Sequence, residues 1–192
     1  MKYEKVTVFC AASQNCENIY LNEAQKLGEF LAKTNRTIFY GGGKVGLMGA
    51  LADAAIKFNG KVIGVIPKFF HDIELGHNKI QKMIIVNTLH QREEKLLTYP
   101  NCIIALPGGI GTFSELLQAI VWKRLNQINA DIFIININNY FDPLLKQLKN
   151  ALDKNFLRQE FKNIWNICKN TDELIMIFEK ELSIQTINKN LT

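Results

Sequence analysis

The feature that most constrains this fold is a regular alternation of short apolar runs with longer amphipathic stretches. The apolar runs are typical of strands buried on both faces of a sheet, and they lie at residues 6–10, 37–40, 62–66, 83–86, 102–106 and 132–135. Helix candidates lie between or after them, at about residues 17–34, 46–59, 89–99, 112–126 and 142–154, with one more starting near Thr171. Because parallel strands need crossover connections, this order predicts a Rossmann-like three-layer α/β fold with a mostly parallel sheet flanked by helices.

Length and composition narrow the classes of protein further. The 192 residues, 47% of them hydrophobic, suffice for one sizeable core, so we expect a single Rossmann-like nucleotide-binding domain over residues 1–192. No apolar stretch has the length of a membrane span and no signal pattern precedes the first run, which predicts a cytoplasmic protein that does not contact a membrane. The four cysteines form no C-x-x-C pair and the three histidines have no metal-ligand spacing, so we predict no metal site.

The net charge of +5 raises the question of whether the protein binds nucleic acid. The basic residues are interleaved with acids, as at residues 92–95 and 179–181, and they form no basic stripe. A solvated surface therefore explains the charge better than a nucleic-acid interface does, and we predict no nucleic-acid partner.

Two glycine-rich segments follow predicted strands, where ligands bind in sheets of this kind. The first, "YGGGKVGLMGALADAA", starts at Tyr40 and opens a helix. It is neither a Walker A loop nor a good dinucleotide fingerprint, so its pattern alone fits a tight turn as well as a phosphate site. The second, "ALPGGIGTFSEL", spans residues 105–116. Thr112 and Glu115 have the spacing of a capping box there, which predicts a helix N-terminus that favours anions.

Together these segments resemble the LONELY GUY family of cytokinin riboside 5'-monophosphate phosphoribohydrolases. The resemblance covers nearly the whole chain and includes "FCAAS" (residues 9–13), "VIGVIP" (62–67), "LHQREEKL" (89–96) and "PGGIGTFSEL" (107–116). The pairing of a GGGxxGLMG loop with PGGxGTxxE is highly specific. Such proteins have often been labelled lysine decarboxylases, but the resemblance implies a nucleotide N-glycosidase that needs no metal or organic cofactor.

The resemblance also implies roles for individual residues. The arginine of the family's MHxRK motif falls on Arg92 and the last glutamate of PGGxGTxxE falls on Glu115, so this pair is expected to be catalytic. Residues expected to bind the substrate or its 5'-phosphate are Ser13, Gly42, Gly43, Glu74, Gly108, Gly109, Gly111 and Thr112. The chain departs from the family pattern at Ala11, Ala12, Lys44, Leu89, Glu93, Ser114 and Val121.

Residue chemistry agrees with these roles. Breaking a ribosyl C–N bond builds positive charge on the ribose, which a carboxylate such as that of Glu115 stabilises while it activates water. An arginine such as Arg92 binds phosphate or ribose oxygens in a bidentate manner. From spacing alone, Glu115 could instead cap a helix and Arg92 could be a solvated helix residue.

The predicted function is hydrolysis of a purine nucleoside 5'-monophosphate, either a cytokinin riboside or an adenosine monophosphate, to free base and ribose 5-phosphate. The resemblance further implies a homodimer with the active site near the subunit interface. The alternatives are a non-catalytic nucleotide-binding or sensing protein with the same fold, and a nucleic-acid-associated factor.

Overall fold

The computed structural model describes residues 2–71 and 76–190, with the backbone alone over residues 184–190. Within this part of the chain the strands are Lys5–Phe9 (β1), Thr37–Tyr40 (β2), Lys61–Pro67 (β3), Lys82–Val86 (β4), Cys102–Ala105 (β5), Asp131–Ile135 (β6) and Trp165–Cys168 (β7). The α-helices are Asn18–Lys33 (α1), Gly46–Lys57 (α2), Lys68–His71 (α3), Leu89–Thr98 (α4), Ile110–Arg124 (α5), Asp142–Asp153 (α6) and Thr171–Asn190 (α7).

All seven strands join one parallel sheet, in the order β4-β3-β2-β1-β5-β6-β7. The first strand lies inside the sheet, where Val6 is in register with Ile38 on one side and with Cys102 on the other. The strand order therefore reverses between β1 and β5. A crevice opens at such a reversal because the loops after the two strands leave toward opposite faces of the sheet.

Helices cover both faces of the sheet, and each face has its own apolar core. On one face, α1, α2 and α7 pack through Leu27, Leu51 and Phe178. On the other, α4, α5 and α6 pack against the sheet, with Leu96 and Leu116 fully buried. Alternate side chains of each strand point to opposite faces, so the strands must be apolar on both sides. This arrangement confirms the predicted three-layer α/β fold.

Most element boundaries agree with the sequence prediction within one or two residues, and the differences have physical causes. The sequence prediction omitted β7, which lies at the edge of the sheet; Asn166 and Ile167 are exposed, so this strand lacks the continuous apolar run of a central one. The short helix α3 was also omitted. No helix in the described part of the chain is long and apolar enough to cross a membrane.

Candidate active site

The reversal in strand order places three loops around one cavity at the carboxyl edge of the sheet. The cavity has a volume of about 270 Å³ and opens between the loops that follow β1, β5 and β6. Its lining includes Ser13, Cys16, Tyr20, Gly108, Gly109 and Tyr140. Ser13, Gly108 and Gly109 were predicted from sequence to bind the substrate, and the fold brings these three together although 94 residues lie between Ser13 and Gly108 in the chain.

The glycines of the segment after β5 end in the first turn of α5, but the capping box predicted there is wrong. The N-cap residue is Gly109 and no side chain caps it, so the helix starts two residues before Thr112 and Glu115 lies well inside it. The N–H groups of the first helical residues have no partners within the helix. Gly111 is exposed in this first turn, so its backbone is accessible to an anion.

A glycine is required at position 108 because the backbone there lies close to the side chain of Thr112. A Cβ atom at this position would collide with Oγ1 and Cβ of Thr112, which is 4% exposed. A Cβ at Gly109 or at Gly111 would have no neighbour within 4 Å. The glycines therefore differ in purpose, because only Gly108 is needed for packing within the loop.

The two residues predicted to be catalytic form a buried ion pair between α4 and α5. Nη1 of Arg92 lies 2.5 Å from Oε1 of Glu115, and the side chains are 13% and 5% exposed. Arg92 also donates from Nε to the carbonyl oxygen of Val65 at 3.3 Å. Its Nη2 faces Gly41, where a Cβ would stand only 2.5 Å away. The guanidinium is thus fixed beneath the carboxyl ends of β2 and β3.

The local structure of α4 explains why Arg92 points to this place. Thr88 is the N-cap residue, and its hydroxyl accepts from the backbone N–H of Gln91 at 3.1 Å. Arg92 lies on the first turn of the helix, next to the carboxyl edge of the sheet, because a crossover helix runs antiparallel to its strands. The long side chain reaches from there to the Glu115 carboxylate.

Burial raises the pKa of Glu115, and the Arg92 charge opposes this shift. The nearby Glu93 carboxylate raises this pKa a little further. Burial also raises the pKa of the Cys10 thiol, just after β1, with a smaller contribution from Glu115. Glu115 is therefore a carboxylate in a poorly solvated place with one cationic partner, which suits it to stabilise positive charge on a ligand.

The first glycine segment lies on the other side of Arg92. The carbonyl oxygen of Gly42 accepts from the backbone N–H of His77 at 2.8 Å, and Gly43 forms an antiparallel bridge with Gly76. A cavity of about 450 Å³ opens beside this segment, lined by Lys44, His71, Gly76, His77, Asn78, Ile80 and Met83. The substrate-binding roles of Gly42 and Gly43 remain predictions.

Sequence reasoning did not predict Cys16, Tyr20 or Tyr140 at the crevice, and it named one residue, Glu74, that cannot be placed. Tyr140 lines the smaller cavity and donates its phenol proton to the carbonyl oxygen of Gly108 at 2.6 Å. Its only sequence signal is its position soon after an apolar strand. Glu74 lies outside the described residues, so its predicted contact with substrate stays a prediction. In the described part of the chain, no group of three His, Cys, Asp or Glu side chains could hold a metal ion.

The chain is similar in sequence to one family model and to several known proteins. Residues 48–178 match the family model described as "Possible lysine decarboxylase". The chain is 34% identical over 179 residues to a probable cytokinin riboside 5'-monophosphate phosphoribohydrolase of Oryza sativa subsp. japonica, covering 93% of this chain and 73% of that protein. It is also 34% identical over 173 residues to the cytokinin riboside 5'-monophosphate phosphoribohydrolase of Rhodococcoides fascians, covering 90% and 87%.

Solved structures with the same fold are more distant in sequence. A molybdenum cofactor binding protein from Rippkaea orientalis superposes with a TM-score of 0.68 at 21% identity, covering 95% of this chain and 99% of that one. The molybdenum cofactor carrier protein of Chlamydomonas reinhardtii gives 0.68 at 16% identity, covering 93% and 98%. These likenesses show the fold alone. The family match and the sequence relatives show more, and by them the chain belongs to the LONELY GUY family of cytokinin riboside 5'-monophosphate phosphoribohydrolases.

Proposed function

We propose that the protein hydrolyses the N-glycosidic bond of purine nucleoside 5'-monophosphates, cytokinin riboside or adenosine monophosphates, to free base and ribose 5-phosphate. The observation that carries the proposal is the buried pair of Arg92 and Glu115, on helices whose first turns lie at the carboxyl edge of the sheet. The names of the sequence relatives support the same reaction. We further propose that the protein acts in the cytoplasm, as the sequence predicts.

Glu115 supplies the negative charge that the reaction needs. As the C1'–N bond breaks, its electron pair leaves on the base, which takes up a proton, and positive charge develops on the ribose. A carboxylate beside C1' stabilises that charge and accepts the proton of the water that adds to C1', which balances the proton that the base takes up, so that one water is consumed. Since Glu115 is 5% exposed, little solvent screens this interaction.

Arg92 favours the ionised form of Glu115 and orients it, since the guanidinium opposes the effect of burial on the carboxyl pKa. Its remaining N–H groups are suited to the ribose oxygens or the phosphate. The first turn of α5, with Gly108, Gly109, Gly111 and Thr112, binds the 5'-phosphate in this proposal, because unpaired N–H groups and the helix dipole favour an anion there. Ser13, Gly42, Gly43 and Glu74 are the other proposed substrate contacts.

The proposal is tested by incubating the protein with AMP, N6-isopentenyl-AMP and the two free nucleosides, and separating the released bases by chromatography. We expect the monophosphates to be cleaved far faster than the nucleosides, because only they occupy the start of α5. Arg92→Ala should lower turnover and weaken substrate binding, whereas Lys95→Ala, on the same helix, serves as the control. Binding of the nucleotides without release of base would favour the non-catalytic alternative.

We also propose that the protein is a homodimer formed through the exposed side of α5. Four apolar side chains are exposed there: Ile110 (87%), Leu117 (38%) and Val121 (38%) on the helix, and Leu125 (54%) at its C-cap. They recur at spacings of seven, four and four residues, so they form one stripe along the helix. A second copy of the chain would cover this stripe, and the same helix carries Glu115 on its buried side.

A further inference from the structure

One hydrogen bond at the crevice has no part in the functions assigned above. The phenol of Tyr140, which follows β6, donates to the carbonyl oxygen of Gly108 at 2.6 Å across 32 residues of sequence. Burial raises the pKa of Tyr140 above its ordinary value, so the phenol carries its proton at neutral pH. The contact therefore joins the loop after β6 to the glycine loop that starts α5.

This bond fixes the orientation of a peptide group at the start of α5. In a trans peptide the C=O and the following N–H point in opposite directions. A Gly108 carbonyl that points toward Tyr140 therefore directs the N–H of Gly109 away from Tyr140. Glycine peptides rotate with little steric restraint, and the N-cap position Gly109 has no side chain to bond the helix start. The phenol supplies the restraint that the loop lacks.

Tyr140 is itself held in place by the turn between β6 and α6. The side chain of Asn136 accepts from the N–H of Phe141 at 2.7 Å and donates to Asp142 Oδ1 at 2.7 Å. Asn138 and Asn139 adopt left-handed backbone angles, with φ of 49° and 59°. Asparagine tolerates this conformation better than most residues, so the turn is shaped by its sequence.

The ring of Tyr140 is also packed on two sides. It lies 6.0 Å from the ring of Tyr20 in an edge-on contact and 6.3 Å from the ring of Phe113 in a stacked one. Tyr20 comes from α1 and Phe113 from α5, so the ring is placed between two elements of the crevice. Such packing fixes the phenol before any ligand arrives and lowers the entropic cost of ordering the loop.

We propose that Tyr140 is a positioning residue for the 5'-phosphate: by holding the Gly108 carbonyl, it keeps the N–H groups at the start of α5 directed at the anion. The proposal rests on the proposed function, because it assigns the phosphate of that substrate to this loop. Tyr140 acts through Gly108 and Gly109, without touching the reacting atoms. Loss of the Tyr140 hydroxyl should therefore weaken the binding of the phosphate and leave the binding of the base unchanged.

The test is Tyr140→Phe, which keeps the ring and removes the hydroxyl. We expect the KM for AMP and the inhibition constant of inorganic phosphate each to rise about tenfold, which corresponds to ~1.4 kcal/mol. The inhibition constant of adenosine, which lacks the phosphate, should stay within about twofold. The matched control is Tyr99→Phe, which removes an exposed phenol at the C-cap of α4.

Several outcomes would overturn the proposal. An unchanged KM for AMP and an unchanged phosphate inhibition constant would show that the hydroxyl has no such role. Equal weakening of phosphate and adenosine would show a general structural role instead. If the wild-type protein releases no base from any nucleotide, the proposed function fails, and calorimetric titration of inorganic phosphate into wild type and Tyr140→Phe still decides this inference. A wild-type protein that does not bind phosphate overturns this inference, whereas the proposed function is decided by base release alone.

Discussion

At the scale of single residues, Glu115 shows how tertiary contacts redefine a side chain. Its spacing from Thr112 fits a capping box, yet it lies inside α5 and pairs with Arg92. Removing a carboxylate from water is costly, and one guanidinium at 2.5 Å compensates for only part of that cost, as the raised pKa of Glu115 shows. A buried acid that is only partly compensated is typical of functional sites.

The first prediction concerns Glu115→Gln, which keeps the size of the side chain and removes its charge. Turnover of the nucleotide substrate should fall on the order of a hundredfold or more, because nothing then offsets the ribosyl cation or accepts the proton of water. The melting temperature should change by only a few degrees, because the glutamine oxygen still accepts from Arg92. Base release and thermal unfolding measure the two quantities.

The control for this variant is Glu94→Gln, which removes an exposed acid on α4. It should leave base release near the wild-type rate. A Glu115→Gln protein that melts normally and releases base as fast as wild type would refute the catalytic role of the carboxylate.

The second prediction uses the direction of the Glu115 pKa shift. The folded pKa lies above the ordinary value of 4.5, so between the two values the folded state binds more protons than the unfolded state. Unfolding free energy must then rise as the pH falls through this window. Glu115→Gln lacks the titrating group, so wild type should gain stability relative to this variant as the pH falls from neutral to the ordinary value of 4.5.

Urea unfolding of both proteins at the two pH values measures this difference. Comparing the pair cancels the titration of every other group that the two proteins share. A difference in unfolding free energy that stays constant, or that moves in favour of the glutamine variant as the pH falls, would contradict a raised pKa.

At the scale of secondary-structure elements, the glycines at the start of α5 differ in whether they leave room for a Cβ atom. Gly108 lies against the buried Thr112, whereas a Cβ at Gly109 would meet open space. The N-cap residue Gly109 has φ −88° and ψ −155°, which other residues also adopt. The two neighbouring glycines should therefore respond differently to the same substitution.

The third prediction is that Gly108→Ala destabilises the protein by about 1–3 kcal/mol, because an added methyl group would overpack a site that cannot expand. Gly109→Ala should change the unfolding free energy by less than about 0.5 kcal/mol, as surface substitutions usually do. Urea unfolding of the two variants beside wild type provides the measurement. Equal effects from the two substitutions would show that the contact with Thr112 does not set the helix start.

At the scale of the whole molecule, the strand order explains why the site lies where it does. Because β1 lies between β2 and β5, the loop that contains Ser13 meets the glycine loop after β5. The helices on the second face, α4 and α5, bring Arg92 and Glu115 to the same edge. The outer side of α5 then remains apolar and exposed in a single chain.

The fourth prediction is that Val121→Glu disrupts a dimer formed through α5. Wild type should have about twice the 21.9 kDa mass of one chain by light scattering, and the variant should approach the mass of one, because a buried, unpaired carboxylate opposes association. Asn150→Glu adds the same charge to an exposed position on α6 and should remain dimeric. A monomeric wild-type protein, or a Val121→Glu variant that stays dimeric, would contradict the proposed interface.

The sequence by itself determined the layers of this protein and the loops where its function should be sought. Local periodicity reports which faces of a segment are buried, so six of the strands and the longer helices could be predicted before any contact was known. The strand Thr37–Tyr40 was predicted with both ends correct. The two glycine segments follow β2 and β5, as predicted, since glycine-rich turns are local signals.

Only the tertiary structure decided which distant segments of the chain those loops contact. The pairing of Arg92 with Glu115, the bond from Tyr140 to Gly108 and the edge strand Trp165–Cys168 all depend on which distant segments are neighbours. Such contacts leave no period in the sequence, because they are set by strand order and by packing across the sheet. The start of α5 shows the same limit: a local capping pattern predicted Thr112 as the N-cap, but the N-cap is Gly109, and Thr112 lies against Gly108.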